Sequence, residues 1–227
     1  MKDTYDEFDS ISGAFSETIN HSAANFYQRY GKRFLDLTLA LLLVPFLAPI
    51  IGILWLLARR DGGPGFFGHK RIGKGGGNFR CWKIRTMVVD AEQKLHAYLL
   101  QNPDAAAEWR RDQKLSDDPR VIRLGRFLRR TSLDELPQLL NVLKGEMSFV
   151  GPRPIVRDEI LKYGVASGVY LSQKPSITGL WQVSGRNDVT YHERVSMDIK
   201  YVQSISALTD IRIIALTGTS VIGLTGR

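Results

Sequence analysis

The 25-residue apolar run from Phe34 to Ala58, whose only charge is Asp36, constrains this chain more than any other feature. About 20 such residues suffice to cross a bilayer core. A signal peptide fits poorly, because the run begins late and Arg59-Arg60-Asp61 follows where small residues would mark cleavage. Lys32-Arg33 precede the run and Arg59-Arg60 follow it. Basic pairs at both ends favour both ends on the cytoplasmic side. Pro45 and Pro49 fall near the middle, each removing a backbone donor and obstructing the helix. Either half, at about 10–14 residues and roughly 16–20 Å, falls short of a core about 30 Å thick. A helix that enters, breaks at Pro45 and Pro49 and returns satisfies charges and prolines together. A kinked transmembrane helix is the competing reading, since such helices tolerate proline.

The other segments predict a largely helical (α-rich) molecule with few short strands, organised as a mobile tail over 1–30, a re-entrant membrane helix over 31–60 and a body over 61–227. The tail is polar and acidic; residues 1–31 hold two basic and five acidic side chains, which leaves +11 on the remainder. That excess suits phosphates, nucleic acid or an acidic lipid surface without choosing among them. A single cysteine, Cys81, excludes an intramolecular disulfide and a cysteine-cluster metal site. Residues 61–78 are glycine-rich and read as loop or hairpin, and Phe79–Arg85 as a short strand. Residues 90–114 read as two polar helices parted at Asn102-Pro103. Ala207–Leu224 is apolar with interruptions, which fits an interfacial helix or a core-packing one equally.

Gly68–Gly75 nearly fits a phosphate-binding Walker loop, but Gly75 stands where a magnesium-holding hydroxyl is required. A denser set of reactive groups lies between Arg123 and Arg153. There Ser132-Leu133-Asp134-Glu135-Leu136-Pro137 sets two adjacent carboxylates before a short Leu-rich helix. One reading is a capping box of Ser132 with Glu135, the acids only complementing the helix dipole. Pro137 favours another, because it moves the regular helix start to itself and leaves the carboxylates projecting beside the arginine face of residues 123–130. An ionised carboxylate in such a phosphate-binding setting can attack phosphorus or hold a hard cation. Gly151-Pro152-Arg153-Pro154 holds a guanidinium on stiff backbone, or is a plain turn. Lys174–Arg186 is a glycine- and hydroxyl-rich loop that could contact a base or sugar.

Ser132 to Pro154 (SLDELPQLLNVLKGEMSFVGPRP), with Lys83–Met87 before it and Ile177–Arg186 after it, resembles the bacterial sugar transferase family, the monotopic phosphoglycosyl transferases that begin exopolysaccharide or glycan assembly. The similarity covers about Tyr30 to Leu224. It implies that Asp134 and Glu135 are the catalytic dyad and hold Mg2+, with Asp134 attacking the β-phosphate of a UDP-sugar, releasing UMP and carrying the sugar phosphate until undecaprenyl phosphate takes it. Arg129 and Arg153 match family arginines around the phosphates; Lys83, Arg71 and Arg186 stand at matching substrate-binding positions. The family's helix breaks at a Ser-Pro pair, which here reads Ala48-Pro49 with an added Pro45. The resemblance further implies galactose, or secondly glucose, as the sugar, and the cytoplasmic face of a bacterial inner membrane as the location. The implied partners are the bilayer, other polysaccharide-assembly enzymes and a second copy in a homodimer, with no nucleic acid. Larger relatives carry N-terminal transmembrane helices, so this chain looks like the minimal catalytic form, and the resemblance implies that 61–227 is a cytoplasmic catalytic domain with interfacial helices. Two readings of another class stand beside this one: a membrane-tethered basic nucleic-acid binder, which leaves the dyad without a role, and a non-catalytic scaffold.

Overall fold

A computed structural model of the chain describes residues 26–112, 114–184 and 189–222. Residues 1–25, most of the expected tail, lie outside them. The described chain is helix-rich, with two small two-stranded sheets.

A π-helical turn, Tyr27–Gly31, runs straight into α1, Lys32–Ala58. Residues 26–30 of the expected tail are therefore helical, and the Tyr27 hydroxyl donates to Asp210 at 2.7 Å, tying this turn to α10 residues far along the chain. Helix α1 continues through both Pro45 and Pro49, which corrects the expected break into two helices. Prolines four residues apart remove only the donors for the Leu41 and Pro45 carbonyls. The Leu- and Ala-rich turns around them are strong helix formers and carry the ladder past the gap.

Both ends of α1 are fastened to the same body. Near its start, Arg33 donates to the carbonyls of Val142 at 2.6 Å and Leu143 at 2.9 Å. The buried Asp36 accepts from Ser148 Oγ at 3.0 Å and from the Phe149 amide at 2.9 Å. At its end, the buried Arg85 donates to the Ala58 carbonyl at 2.5 Å and pairs with Asp61, a cation where the helix dipole is negative. Leu41, Leu42, Phe46, Ile50, Ile53 and Leu56 remain exposed. An apolar band of that size marks a membrane or partner surface, and the helix is long and apolar enough to cross a bilayer.

After α1, the glycine-rich segment forms a hairpin. β1, Phe66–Ile72, runs antiparallel to β2, Asn78–Ile84, in the register Phe66↔Ile84 and Ile72↔Asn78. Two polar helices follow, α2 (Ala91–Gln101) and α3 (Pro103–Asp112), parted at Asn102 as expected. The amphipathic α4, Arg123–Thr131, then leads through a 3-10 turn, Leu133–Glu135, to α5, Gln138–Lys144, which Gly145 closes in a left-handed conformation (φ 81°). β3 (Ser148–Val150), α6 (Arg157–Ile160) and α7 (Ser167–Ser172) come next, and β4 (Ser176–Thr178) returns parallel to β3. α8 (Leu180–Ser184), α9 (Tyr191–Gln203) and α10 (Ala207–Ile222) complete the described chain.

The core joins the membrane helix to this body: Ala40 packs with Cys81, Leu139, Val142 and Met147, while Leu54 and Ala58 pack with Ile84 and Leu128. α10 packs into the core on one face and leaves apolar side chains exposed on the other. Asp210 and Ile213 turn inward and are buried, whereas Leu208, Ile211 and Leu216 face out.

Candidate active site

Two helices and a hairpin bring the reactive groups together. α4 lies so close to the chain leaving β2 that a β-carbon on Gly125 would sit 2.1 Å from the Thr86 carbonyl oxygen, and only glycine permits that approach. Within the same contact Arg129 Nε donates to Thr86 Oγ1 at 2.9 Å. α4 ends at Ser132, the one non-glycine residue with positive φ (57°) among the described residues. Its side chain makes no cap hydrogen bond, so the capping box is not formed. A left-handed serine costs on the order of 1–3 kcal/mol and is typical of functional turns. Here it starts the short turn that carries Asp134 and Glu135, and Pro137 then caps α5.

β2 supplies the cation. Asn141, fully buried on α5, accepts from the Trp82 amide at 3.0 Å and donates to the Arg80 carbonyl at 2.7 Å, pinning strand to helix. Lys83 is thereby held over the dyad, donating to Glu135 Oε1 at 2.6 Å and standing 3.8 Å from Asp134 Oδ2.

The two carboxylates are driven apart in acidity. Asp134 is buried, which pushes its pKa up; Glu135 adds to this, and Lys83 and Arg129 pull against it without prevailing. Burial also acts on Glu135, but the Lys83 ammonium and its hydrogen bond outweigh it and hold the group below the usual carboxylate range. Neighbouring acids with separated pKa values are a mark of sites that do acid–base or nucleophilic work.

These residues open on a cavity of about 1330 Å³ lined by Lys83, Arg129, Asp134, Glu135 and Arg153. Arg153 is aimed by the β3–β4 pair, through Gly151 N to Thr178 O at 3.0 Å and Ser176 N to Pro152 O at 2.8 Å, and its guanidinium lies 5.8 Å from the Trp181 ring centre. Five of the expected residues therefore converge. Arg71 does not line the cavity; it pairs with Glu159 at 3.5 Å. Arg186 lies outside the described residues. Leu43 and Leu47 of α1 and Ile214 of α10 also line the cavity and give it apolar wall. Sequence reasoning missed Asn141, for which an asparagine inside a Leu-rich helix was the available signal, while Trp181 falls in the Lys174–Arg186 segment already singled out.

Residues 27–223 match the bacterial sugar transferase family, a span that runs from the turn before α1 past the end of α10. The chain belongs to that family. Among sugar transferase relatives, the undecaprenyl-phosphate galactose phosphotransferase of Salmonella typhimurium is 47% identical over 204 residues, covering 90% of this chain and 43% of the relative. The exopolysaccharide production protein ExoY of Sinorhizobium fredii is 49% identical over 187 residues, covering 82% and 83%. The UDP-glucose:undecaprenyl-phosphate glucose-1-phosphate transferase of Escherichia coli is 36% identical, covering 82% and 39%. The chain thus spans less than half of the Salmonella and Escherichia sugar transferases.

No cluster of three or more His, Cys, Asp or Glu side chains exists among the described residues. The donors at hand, Asp134 and Glu135, still fit magnesium, which commonly takes one or two carboxylates and completes its shell with water and phosphate oxygens.

Proposed function

We propose that this chain transfers hexose 1-phosphate from a UDP-sugar to undecaprenyl phosphate, releasing UMP, as the first membrane step of exopolysaccharide synthesis. The observation that carries the reading is the buried Asp134, beside Lys83 and Arg129 in a cavity that Leu43 and Leu47 of α1 also line. Cations suited to a nucleotide sugar and apolar wall suited to a lipid acceptor line the same cavity as that carboxylate.

In this account Asp134 Oδ2 attacks the β-phosphorus of the donor. The bond from that phosphorus to the bridging oxygen breaks, and UMP departs with the electron pair. The acceptor phosphate then attacks the same phosphorus, breaking its bond to Asp134 and restoring the carboxylate. Lys83, Arg129 and Arg153 offset charge on the transferring phosphoryl group, the main demand in this reaction class. Glu135, held ionised by Lys83, keeps that cation in place. Magnesium, when bound by Asp134 and Glu135, would supply further charge neutralisation at the phosphate oxygens.

Galactose is the proposed sugar, with glucose second, following the names of the more similar relatives. Both ends of α1 would lie on the cytoplasmic face of the inner membrane, which agrees with their attachment to one body. Detergent-solubilised protein given UDP-galactose or UDP-glucose, magnesium and undecaprenyl phosphate should release UMP, fastest with the galactose donor. Asp134→Asn should abolish release; retained turnover would exclude Asp134 as nucleophile.

A further inference from the structure

A second cationic site lies at the opposite end of α5 from the dyad. A β-carbon on Gly145 would stand 3.4 Å from Arg33 Nη2 and 3.5 Å from Lys174 Nζ, so the two nitrogens are at most about 7 Å apart. Arg33 is fixed there by its hydrogen bonds to Val142 and Leu143. Lys174 is half-buried and makes no hydrogen bond or ion pair with the described residues. Burial and the neighbouring Arg33 charge hold its ammonium below the usual lysine range; Asp36 acts in the other direction. Asp36 itself is engaged by Ser148 and Phe149. Arg33 answers the carbonyls at the negative end of α5, whereas Lys174 adds a second charge beside it with no bonded partner of its own among the described residues, and that charge is open to an anion. A tetrahedral phosphate accepting two charge-assisted bonds of about 2.8 Å can bridge nitrogens at this spacing.

The surroundings indicate which phosphate. Phe26, Tyr30 and Phe34, beside Arg33 at the start of α1, are 77%, 55% and 73% exposed. Aromatic side chains in that position are characteristic of the headgroup level of a bilayer. Neither Arg33, Lys174 nor Gly145 lines the catalytic cavity. The ten residues from Glu135 to Gly145, mostly helix, correspond to a separation of about 15 Å.

We propose that Arg33 and Lys174, where they meet beside Gly145, bind the phosphate of an anionic membrane phospholipid on the face where α1 begins. The proposal rests on the membrane seating of α1 and not on the transfer reaction. A lipid held there would fix the depth and tilt of α1 relative to the catalytic body.

The test is native mass spectrometry of the full chain released from bilayers of equal phosphatidylglycerol and phosphatidylcholine. The wild type should retain phosphatidylglycerol in preference. Lys174→Gln should lower that retention about fivefold, the factor expected for one basic group at an anionic surface, and Lys174→Arg should restore it. UMP release in detergent should be unchanged in Lys174→Gln, which separates this site from the transfer chemistry. Equal retention of the two lipids, or no effect of Lys174→Gln, would overturn the proposal. So would displacement of the lipid by millimolar inorganic phosphate, which would identify a site for free phosphate. A fall in UMP release with Lys174→Gln would make Lys174 part of the transfer site and overturn the separation.

Discussion

The Lys83 ammonium donates to Glu135 at 2.6 Å, and in doing so stands 3.8 Å from Asp134. One cation is thus divided unequally between adjacent carboxylates. The nearer one is held ionised, while the more buried one keeps a raised pKa and a more basic oxygen. The site can therefore offer a nucleophile and a charge-holding neighbour from two residues in sequence.

Lys83 lowers both carboxylates, so its removal has a predictable sign. The acidic limb of the UMP-release profile should lie above the ordinary Asp value of about 3.9. In Lys83→Met it should move to higher pH, and in Lys83→Arg it should stay near the wild-type position. Measuring rate against pH for the three proteins checks this; a limb that stays put or moves down in Lys83→Met would contradict it.

Asp36 is the one charge in the apolar run, and it is a fastening. Asp36→Ala strands the buried Ser148 hydroxyl and the half-buried Phe149 amide that now bond to it. The expected loss is about 2–4 kcal/mol of stability. Chemical denaturation of the detergent-solubilised chain would measure it, and a change under about 0.5 kcal/mol, typical of an unconnected surface position, would deny Asp36 that role.

Asp198 predicts a pH effect on stability away from the active site. It is buried on α9, accepts from the Tyr163 hydroxyl at 2.7 Å, and its pKa is pushed up to about 7 by burial, against that hydrogen bond. A folded value above the unfolded one means that ionisation opposes folding. Stability is therefore lost as pH rises from about 4 to about 7, by on the order of 4 kcal/mol. Asp198→Asn should match the wild type near pH 4 and be the more stable protein near pH 8. Denaturation at both values decides it; a constant difference would contradict the assignment.

The membrane run, the two polar helices, α4, α5 and the hairpin were all legible, because each is written in local periodicity or in glycine and proline punctuation. The α1 break was not, since proline spacing shows which hydrogen bonds are lost but not whether the flanking turns carry the helix on. Convergence of Asp134, Glu135, Arg129, Arg153 and Lys83 on one cavity agreed with the family resemblance. The local pattern alone left the dyad readable as a cap, and Ser132 decided against that through a backbone angle that no sequence rule supplies. Arg71 looked equivalent to the other basic residues until its pairing with Glu159 appeared, a contact between positions far apart in the chain. Asn141 and the Arg33–Lys174 pair were hidden for the same reason.

Covalent capture on Asp134 is the central claim. Incubating the protein with UDP-galactose and magnesium but no lipid acceptor, then digesting it and mapping peptides by mass spectrometry, tests it directly. The account predicts a hexose-phosphate adduct on the peptide carrying Asp134, localised to that side chain and discharged when undecaprenyl phosphate is added. UMP formation with an unmodified Asp134, or an adduct on any other residue, would contradict it.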